Sequence, residues 1–478
     1  MLNETVARSV VLAVLVLVPL GGCRGAAVQR EPVAEVRGHQ VLTVAQMRED
    51  LEYTIRTLRD VHPSTYHGFS REQEGLIETL RGQIREPMKA QEFYLLAGRL
   101  LCSMKDGHTK LEPMKGSQNR SVNIPLAWVA DGLYVTTDCA PFRAGDRVVA
   151  IGGRSSEELI AELRPFISAE NLYWLRYKAA DALTREVYLA ALGVMREDHV
   201  DWTVQRAGEK QVVSTGFMTG KMYYGRHPAR HWVGHTIDKD ASLGVFHLDQ
   251  CLWNDEYRKA VHEFFAAVSR DRIEHAVVDL RWNPGGNSNV MGEFLRYLDV
   301  DRYKHLGMEV RYSKASRQQR NDPWGWGRYV GKSKTKKNDR CRERDLLFHG
   351  RLYVLVSVET FSSANDFALI VKDNKLGTIV GEPTGNRPTC YGDCLSFQMP
   401  NTGFRFTVSY KRFVRPEPAN DPEDALQPDV LVPTTIEDVL QHRDPQIDAV
   451  RAIVKSRKVS WYHAPVRASL IFWGLLCG

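Results

Sequence analysis

Two adjacent serines, Ser362 and Ser363, stand where a hydroxyl could act as a nucleophile. An apolar strand pattern over 352–358 breaks at 359–362, and an amphipathic run follows in which Ala364, Phe367, Ala368 and Val371 recur at i, i+3, i+4 and i+7. That order puts the serines at the first turn of a helix on the C-terminal edge of a sheet. Backbone N–H groups there lack intrahelical partners, and the helix dipole favours negative charge. Attack by a serine on a carbonyl creates an oxyanion that needs such donors. A serine in this place also serves as an ordinary N-cap, so the stretch alone leaves both roles open. A second apolar strand runs into Asn283-Pro284-Gly285-Gly286, where paired glycines suit a sharp turn that bares its N–H groups, and an apolar helix follows. A third, over 378–380, leads into the turn Gly381-Glu382-Pro383-Thr384-Gly385.

In this order the stretches resemble the motifs of serine peptidase family 41, the tail-specific (C-terminal processing) and tricorn-core peptidases. The matching residues are Asp279-Leu280-Arg281 with Asn283-Pro284-Gly285-Gly286, then Thr360, Ser362, Ser363, Ala364 and Asp366, then Gly381 through Gly385. The similarity runs from about residue 46 to about residue 455. The resemblance implies that Ser363, three residues before Asp366, is the nucleophile, and that the N–H groups of Gly286 and Ala364 form the oxyanion hole.

The family uses two mechanisms. The tail-specific branch pairs the serine with a lysine about 25 residues further on, a position held here by Pro388. Lys372 is no substitute, because nine residues along a helix turn it to the opposite face and carry it roughly 13 Å along the axis. The tricorn-like branch uses a histidine, and Asp106-Gly107-His108-Thr109 resembles its motif. Asp-Gly is a turn signal that throws His108 onto the entry of a strand. An imidazole, with an unperturbed pKa of about 6.5, takes and returns a proton near neutrality. The resemblance places an acid shortly before Pro428-Asp429, where Asp421, Glu423 and Asp424 all qualify and Glu423 is the nominal choice.

The remaining sequence supplies supports and an address. A chain of 478 residues is long enough for two or three domains, and 43% hydrophobic with 26% charged residues is ordinary for globular proteins. A net charge of +6 is mild at this length and gives no case for nucleic-acid binding. The apolar run 10–20 fits the core of a signal peptide and is too short to span a bilayer. It ends in Leu20-Gly21-Gly22-Cys23, which resembles a bacterial lipobox with Cys23 as the lipidated residue. This points to export into the cell envelope as a membrane-anchored lipoprotein, or as a periplasmic or secreted protein. Oxidising surroundings allow disulfides, and Cys390 and Cys394, flanking Tyr391-Gly392-Asp393, are the expected pair. No paired C-x-x-C and no H-E-x-x-H occur, so neither a metal nor another cofactor is implied.

The organisation read from the chain is a signal peptide (1–22), a tether (23–43), an N-terminal helical cap with the His motif (44–121), a PDZ-like segment (122–217), a peptidase core (218–455) and a tail (456–478). The PDZ-like segment rests on Gly145-Asp146-Arg147-Val148-Val149-Ala150-Ile151-Gly152-Gly153 and lacks an evident carboxylate-binding loop, so it is degenerate. Within the core, 301–345 reads as a basic insertion or lid, with 14 Lys and Arg against five acids over 301–344. The fold class is α/β, and the resemblance implies a crotonase-like core. The function expected is hydrolysis of peptide bonds in proteins or peptides. The alternative is an inactive peptide-binding lipoprotein of the same fold.

Overall fold

The computed structural model describes residues 34–114, 120–219, 230–420 and 423–462. The lipobox with Cys23, the apolar tail and Asp421 lie outside the described residues.

The fold is mixed α/β. Its central sheet has six strands in the order Val233–Asp238, Leu243–Leu248, His275–Asp279, Arg351–Val356, Gly377–Gly381 and Val430–Leu431. The first pair is antiparallel and the remaining pairings are parallel. A parallel sheet must be covered on both faces, and alternation along the strands provides for this. Ala276, Val278, Leu352 and Val354 join Phe264, Phe265, Phe294 and Phe367 of the helices on one face. Val277, Tyr353 and Leu355 meet Ile447, Val450 and Val454 of the helix Pro445–Tyr462 on the other. The parallel strands end on one edge, which brings together the turns after Asp279, Val356 and Gly381.

The first three helices of the described residues are Val44–Val61, Arg71–Gln83 and Ala90–Cys102. Thr43 with Gln46, and Ser70 with Gln73, close capping boxes at the first two. Their apolar faces share a core with Leu395, Phe404, Phe406 and Val408 of a second sheet. That sheet runs Arg328–Gly331, Gly307–Arg311, Arg405–Val414, Cys390–Gln398, with Lys110–Leu111 also paired to Arg405–Val414. Buried Asp50 pins the helices to it, accepting from Asn401 N–H, Thr402 N–H and the Thr402 hydroxyl. Residues 122–217 carry their own sheet, its path running from Leu126–Val129 to Glu209–Gly216, and their own core around Trp202.

Residues 172–191 form two helices, Leu172–Ala182 and Glu186–Ala191, and Thr184 between them donates its hydroxyl to Asp181 O at 2.8 Å. The basic insertion, read as an insertion or lid, is built into a sheet. Its strand Gly307–Arg311 pairs with Arg405–Val414 on one side and Arg328–Gly331 on the other, making the latter the sheet's edge.

Candidate active site

Ser363 opens the helix Ser363–Asp373 and is 7% exposed. Ser362 before it holds φ +54° and makes no side-chain cap hydrogen bond, so the ordinary N-cap role does not describe it. The Gly285-Gly286 turn lies directly against this corner. A Cβ on Gly285 would sit 2.5 Å from Ser362 Cβ, and one on Gly286 2.4 Å from Cys251 O. Both glycines also have positive φ, so no other residue fits either place without strain. Asn283 sets the turn, accepting from Gly285 N–H at 2.8 Å and donating to Leu248 O at 2.9 Å. The Ser363 hydroxyl donates to Gly286 O at 2.8 Å. Ala364 N–H donates to Phe361 O at 3.2 Å. Among the described residues the Gly286 N–H meets no acceptor.

His108 enters this corner from the turn before the strand Lys110–Leu111. Its ring packs at 4.9 Å on that of Phe361, two residues before Ser363, and a Cβ on Gly107 would strike that same phenyl ring at 2.7 Å. Imidazole Nδ1 lies 3.7 Å from Asp106 Oδ1. Asp106 is fully buried and has four donors: His108 N–H at 2.9 Å, the Thr109 and Ser409 hydroxyls at 2.6 and 2.7 Å, and His62 Nε2 at 3.3 Å. Burial opposes its charge, but the neighbouring histidines hold the carboxyl well below its usual range. Burial also works against a charged His108, yet Asp106 and then Glu170 raise its pKa above the ordinary value.

Glu170 is the residue that sequence reasoning missed. One atom each of Asp106, His108 and Glu170 lie within 4.8 Å of one another. Glu170 accepts from Asn386 Nδ2 at 2.9 Å and from Arg387 N–H at 2.7 Å, and Asn386 in turn accepts the Ser362 N–H. Burial, then the charge of Asp106, pushes its pKa up to about 7. Asp366 is likewise pushed up to about 7 by burial, and its Oδ1 has no hydrogen-bond partner. Asp366, one turn further along the Ser363 helix, feels the charges of His108 and Glu170. Asp106, His108 and Glu170 are spaced as a cation site would be, and Asp106 already accepts three hydrogen bonds on Oδ2 and one on Oδ1.

Residues 242–432 match the family Peptidase family S41. They form a serine-type peptidase domain of that family. No curated protein matches the chain. Among solved structures, mature CPAF is 14% identical with a TM-score of 0.66, covering 88% of this chain and 99% of its own. CPAF complexed with lactacystin is 15% identical with a TM-score of 0.63, covering 87% and 98%. The photosystem II D1 C-terminal processing protease is 19% identical with a TM-score of 0.42, covering 83% and 97%. At these identities the likeness to CPAF is one of fold.

Other residues singled out in the S41 domain fall elsewhere. Glu423 is not beside His108; it binds Arg415 at 2.9 Å, a guanidinium that also holds Asp373 at 2.8 Å. Asp424 pairs with Arg387 at 2.7 Å on the surface. Lys372 is taken by Asp429 and by Gln427 O at the far end of its helix. Cys390 and Cys394 are not disulfide-bonded. They lie on one strand, Cys390–Gln398, where four residues span about 13 Å, against the roughly 7 Å a disulfide tolerates. Cys394 instead donates to His108 O at 3.4 Å. Asp279 and Arg281 of the first motif are structural: burial opposes the charge of Asp279, yet Arg281, bridging to Asp444, keeps its pKa near about 2.

Proposed function

We propose that the protein is an exported serine peptidase in which Ser363 attacks a peptide carbonyl and His108 takes and returns the proton. The observation that carries this reading is the placement of Ser363 against the Gly285-Gly286 turn, with the acid-backed imidazole of His108 packed on Phe361 beside it. In the resting state the Ser363 hydroxyl is held by Gly286 O. Substrate binding must turn it toward the imidazole, whereupon the open Gly286 N–H can receive the developing oxyanion. Protonated His108, stabilised by Asp106 and Glu170, then delivers its proton to the leaving amine. Water repeats the cycle on the acyl-enzyme. Asp106 and Glu170 take the supporting part assigned by sequence to Glu423.

The same reading takes the central sheet as crotonase-like, residues 44–121 as a helical cap and 122–217 as a degenerate PDZ-like insert. Support for the insert is its own sheet, over a core that it shares with Phe361. Export and a lipid anchor at Cys23 rest on the apolar run 10–20 and on Leu20-Gly21-Gly22-Cys23. One observation favours the second reading, an inactive peptide-binding lipoprotein: Ser363 Oγ and Ala364 N–H are both engaged within the protein. A fluorophosphonate probe separates them. Labelling that maps to Ser363, and is lost in Ser363→Ala, is the expected result. Unlabelled protein that still binds peptides assigns the chain to the second reading.

A further inference from the structure

The basic insertion carries a surface the peptidase chemistry does not use. Trp324 and Trp326 are 88% and 78% exposed, and Tyr329 and Val330 on the adjoining edge strand are 47% and 60% exposed. The tryptophan loop is a built feature. Tyr312 N–H donates to Gly327 O at 2.8 Å, Gly325 packs so closely on the Tyr312 ring that a Cβ would strike it, and Arg317 lies 4.5 Å from the centre of the Trp326 ring. The strand Arg328–Gly331, about 13 Å long, leads from this loop to Lys332, Lys334, Lys336 and Lys337. Those four lysines and Lys314 are exposed and enter no ion pair among the described residues. Four of the five acids in 301–344 already have partners: Asp301 and Glu309 bind arginines, as does Asp339, and Glu343 binds His262. The lysine charge is therefore uncompensated.

We infer that this face docks on an anionic lipid surface, with Trp324 and Trp326 in the interface and the lysines over the headgroups. Exposed tryptophans beside unpaired cations suit a bilayer boundary, where an amphipathic ring has apolar and polar surroundings at once. The place where the described chain begins agrees. Val36 N–H donates to Thr402 O at 2.9 Å, and Ala34 O lies against Gly403. The insertion grips the same hairpin a few residues away, through Gln319 on Ser396 and Arg320 on Asp393. A tether leaving Ala34 thus starts from the hairpin that the insertion grips. Eleven residues back to Cys23 reach at most about 40 Å. That last step rests on the anchored reading above; the surface itself does not.

The test uses a chain of residues 24–478, which keeps all four hydrophobic cores, since their buried members run from Leu42 to Val454. Without an acyl group it should co-sediment with vesicles of phosphatidylcholine containing 30% phosphatidylglycerol, and only weakly with phosphatidylcholine alone. Trp324→Ala with Trp326→Ala should lower partition on the order of tenfold. Lys332→Glu, Lys334→Glu and Lys336→Glu together should lower it on the order of 100-fold or more. Both variants should keep wild-type peptidase activity, which reports on folding. Equal binding by wild type and variants, or binding indifferent to lipid charge, overturns the proposal. So does a chain that ignores vesicles but binds a single-stranded oligonucleotide through the same lysines. If the lysines matter here but mass spectrometry of the full chain's mature N-terminus finds no acyl group on Cys23, only the anchored reading fails.

Discussion

The two walls of the site are made differently. The serine wall is local: strand, glycine turn, strand and helix all belong to residues 275–373, and the pieces meet through backbone contacts. The acid wall is assembled at a distance. Asp106 and His108 arrive from the turn that follows the helix Ala90–Cys102, and Glu170 arrives just before Asn171, which caps the helix Leu172–Ala182. Asn171 also donates to Thr384 O and Asp424 O of the S41 domain, at 3.2 and 2.9 Å. A wall built from one stretch leaves a motif. A wall built by docking leaves only scattered polar residues whose partners lie elsewhere.

Substitution can break either wall. The largest effect is expected for Ser363→Ala and His108→Ala, each removing on the order of 10⁴-fold in kcat, with the double variant little worse than either because the pair acts as a unit. Stopped assays on the three proteins at matched fold content check this, and a clearly additive double variant would separate the two residues. Next is the contrast between two glutamates. Glu170→Gln should cost about 10²-fold or more in kcat, as loss of an acid that orients and stabilises a catalytic imidazole does. It should also move the acidic limb of the pH–rate profile to lower pH, because Glu170 raises the His108 pKa. Glu423→Gln should leave that profile in place, while destabilising the fold by about 1–2 kcal/mol through Arg415.

A smaller effect tests the cost of the acid wall. Asp366 has its folded pKa raised to about 7, so it binds a proton more tightly in the native state than unfolded. Its contribution is favourable below the unfolded value of about 4 and is lost as pH rises toward 7. Asp366→Asn should therefore raise Tm at pH 8 and change it little at pH 4; a pH-independent difference would refute the buried-acid account. The smallest change belongs to Lys372→Ala. Turnover should stay within about twofold, since this lysine faces Asp429. Loss of activity there would restore a serine–lysine mechanism.

Much of the local wall could be read directly. Gly285 and Gly286 stood out as paired glycines directly after a strand, and the structure shows why nothing else fits beneath Ser362 and Cys251; the first helices were visible through a 3.6-residue period, while their Thr43 and Ser70 caps were not. The S41 motifs singled out Ser363 and His108, and the structure packs His108 on Phe361, two residues before that serine. Glu170 had no such marker, being a glutamate whose importance comes from Asn386 and Arg387, residues far along the chain. Tyr391-Gly392-Asp393 misled for the opposite reason. It carries turn residues, but pairing of Tyr391 and Gly392 with Arg412 and Lys411 draws it into a strand, and only the positive φ of Asp393 keeps a trace of the turn. The insertion's lysines similarly hid the alternating Met308 and Val310 of an internal strand.

The gathering of the acid wall from separate regions also sets a schedule. His108 and Glu170 precede Ser363 in the chain, and the Asn386 that links Glu170 to Ser362 comes later still. On the proposed mechanism, a chain that emerges N-terminus first would carry its base long before it has anything to activate, and hydrolysis would wait on the final docking step. Recovery of activity during refolding should accordingly lag the return of helical and strand signal. Such a peptidase would be silent for the interval in which its own unfolded segments are the nearest substrate.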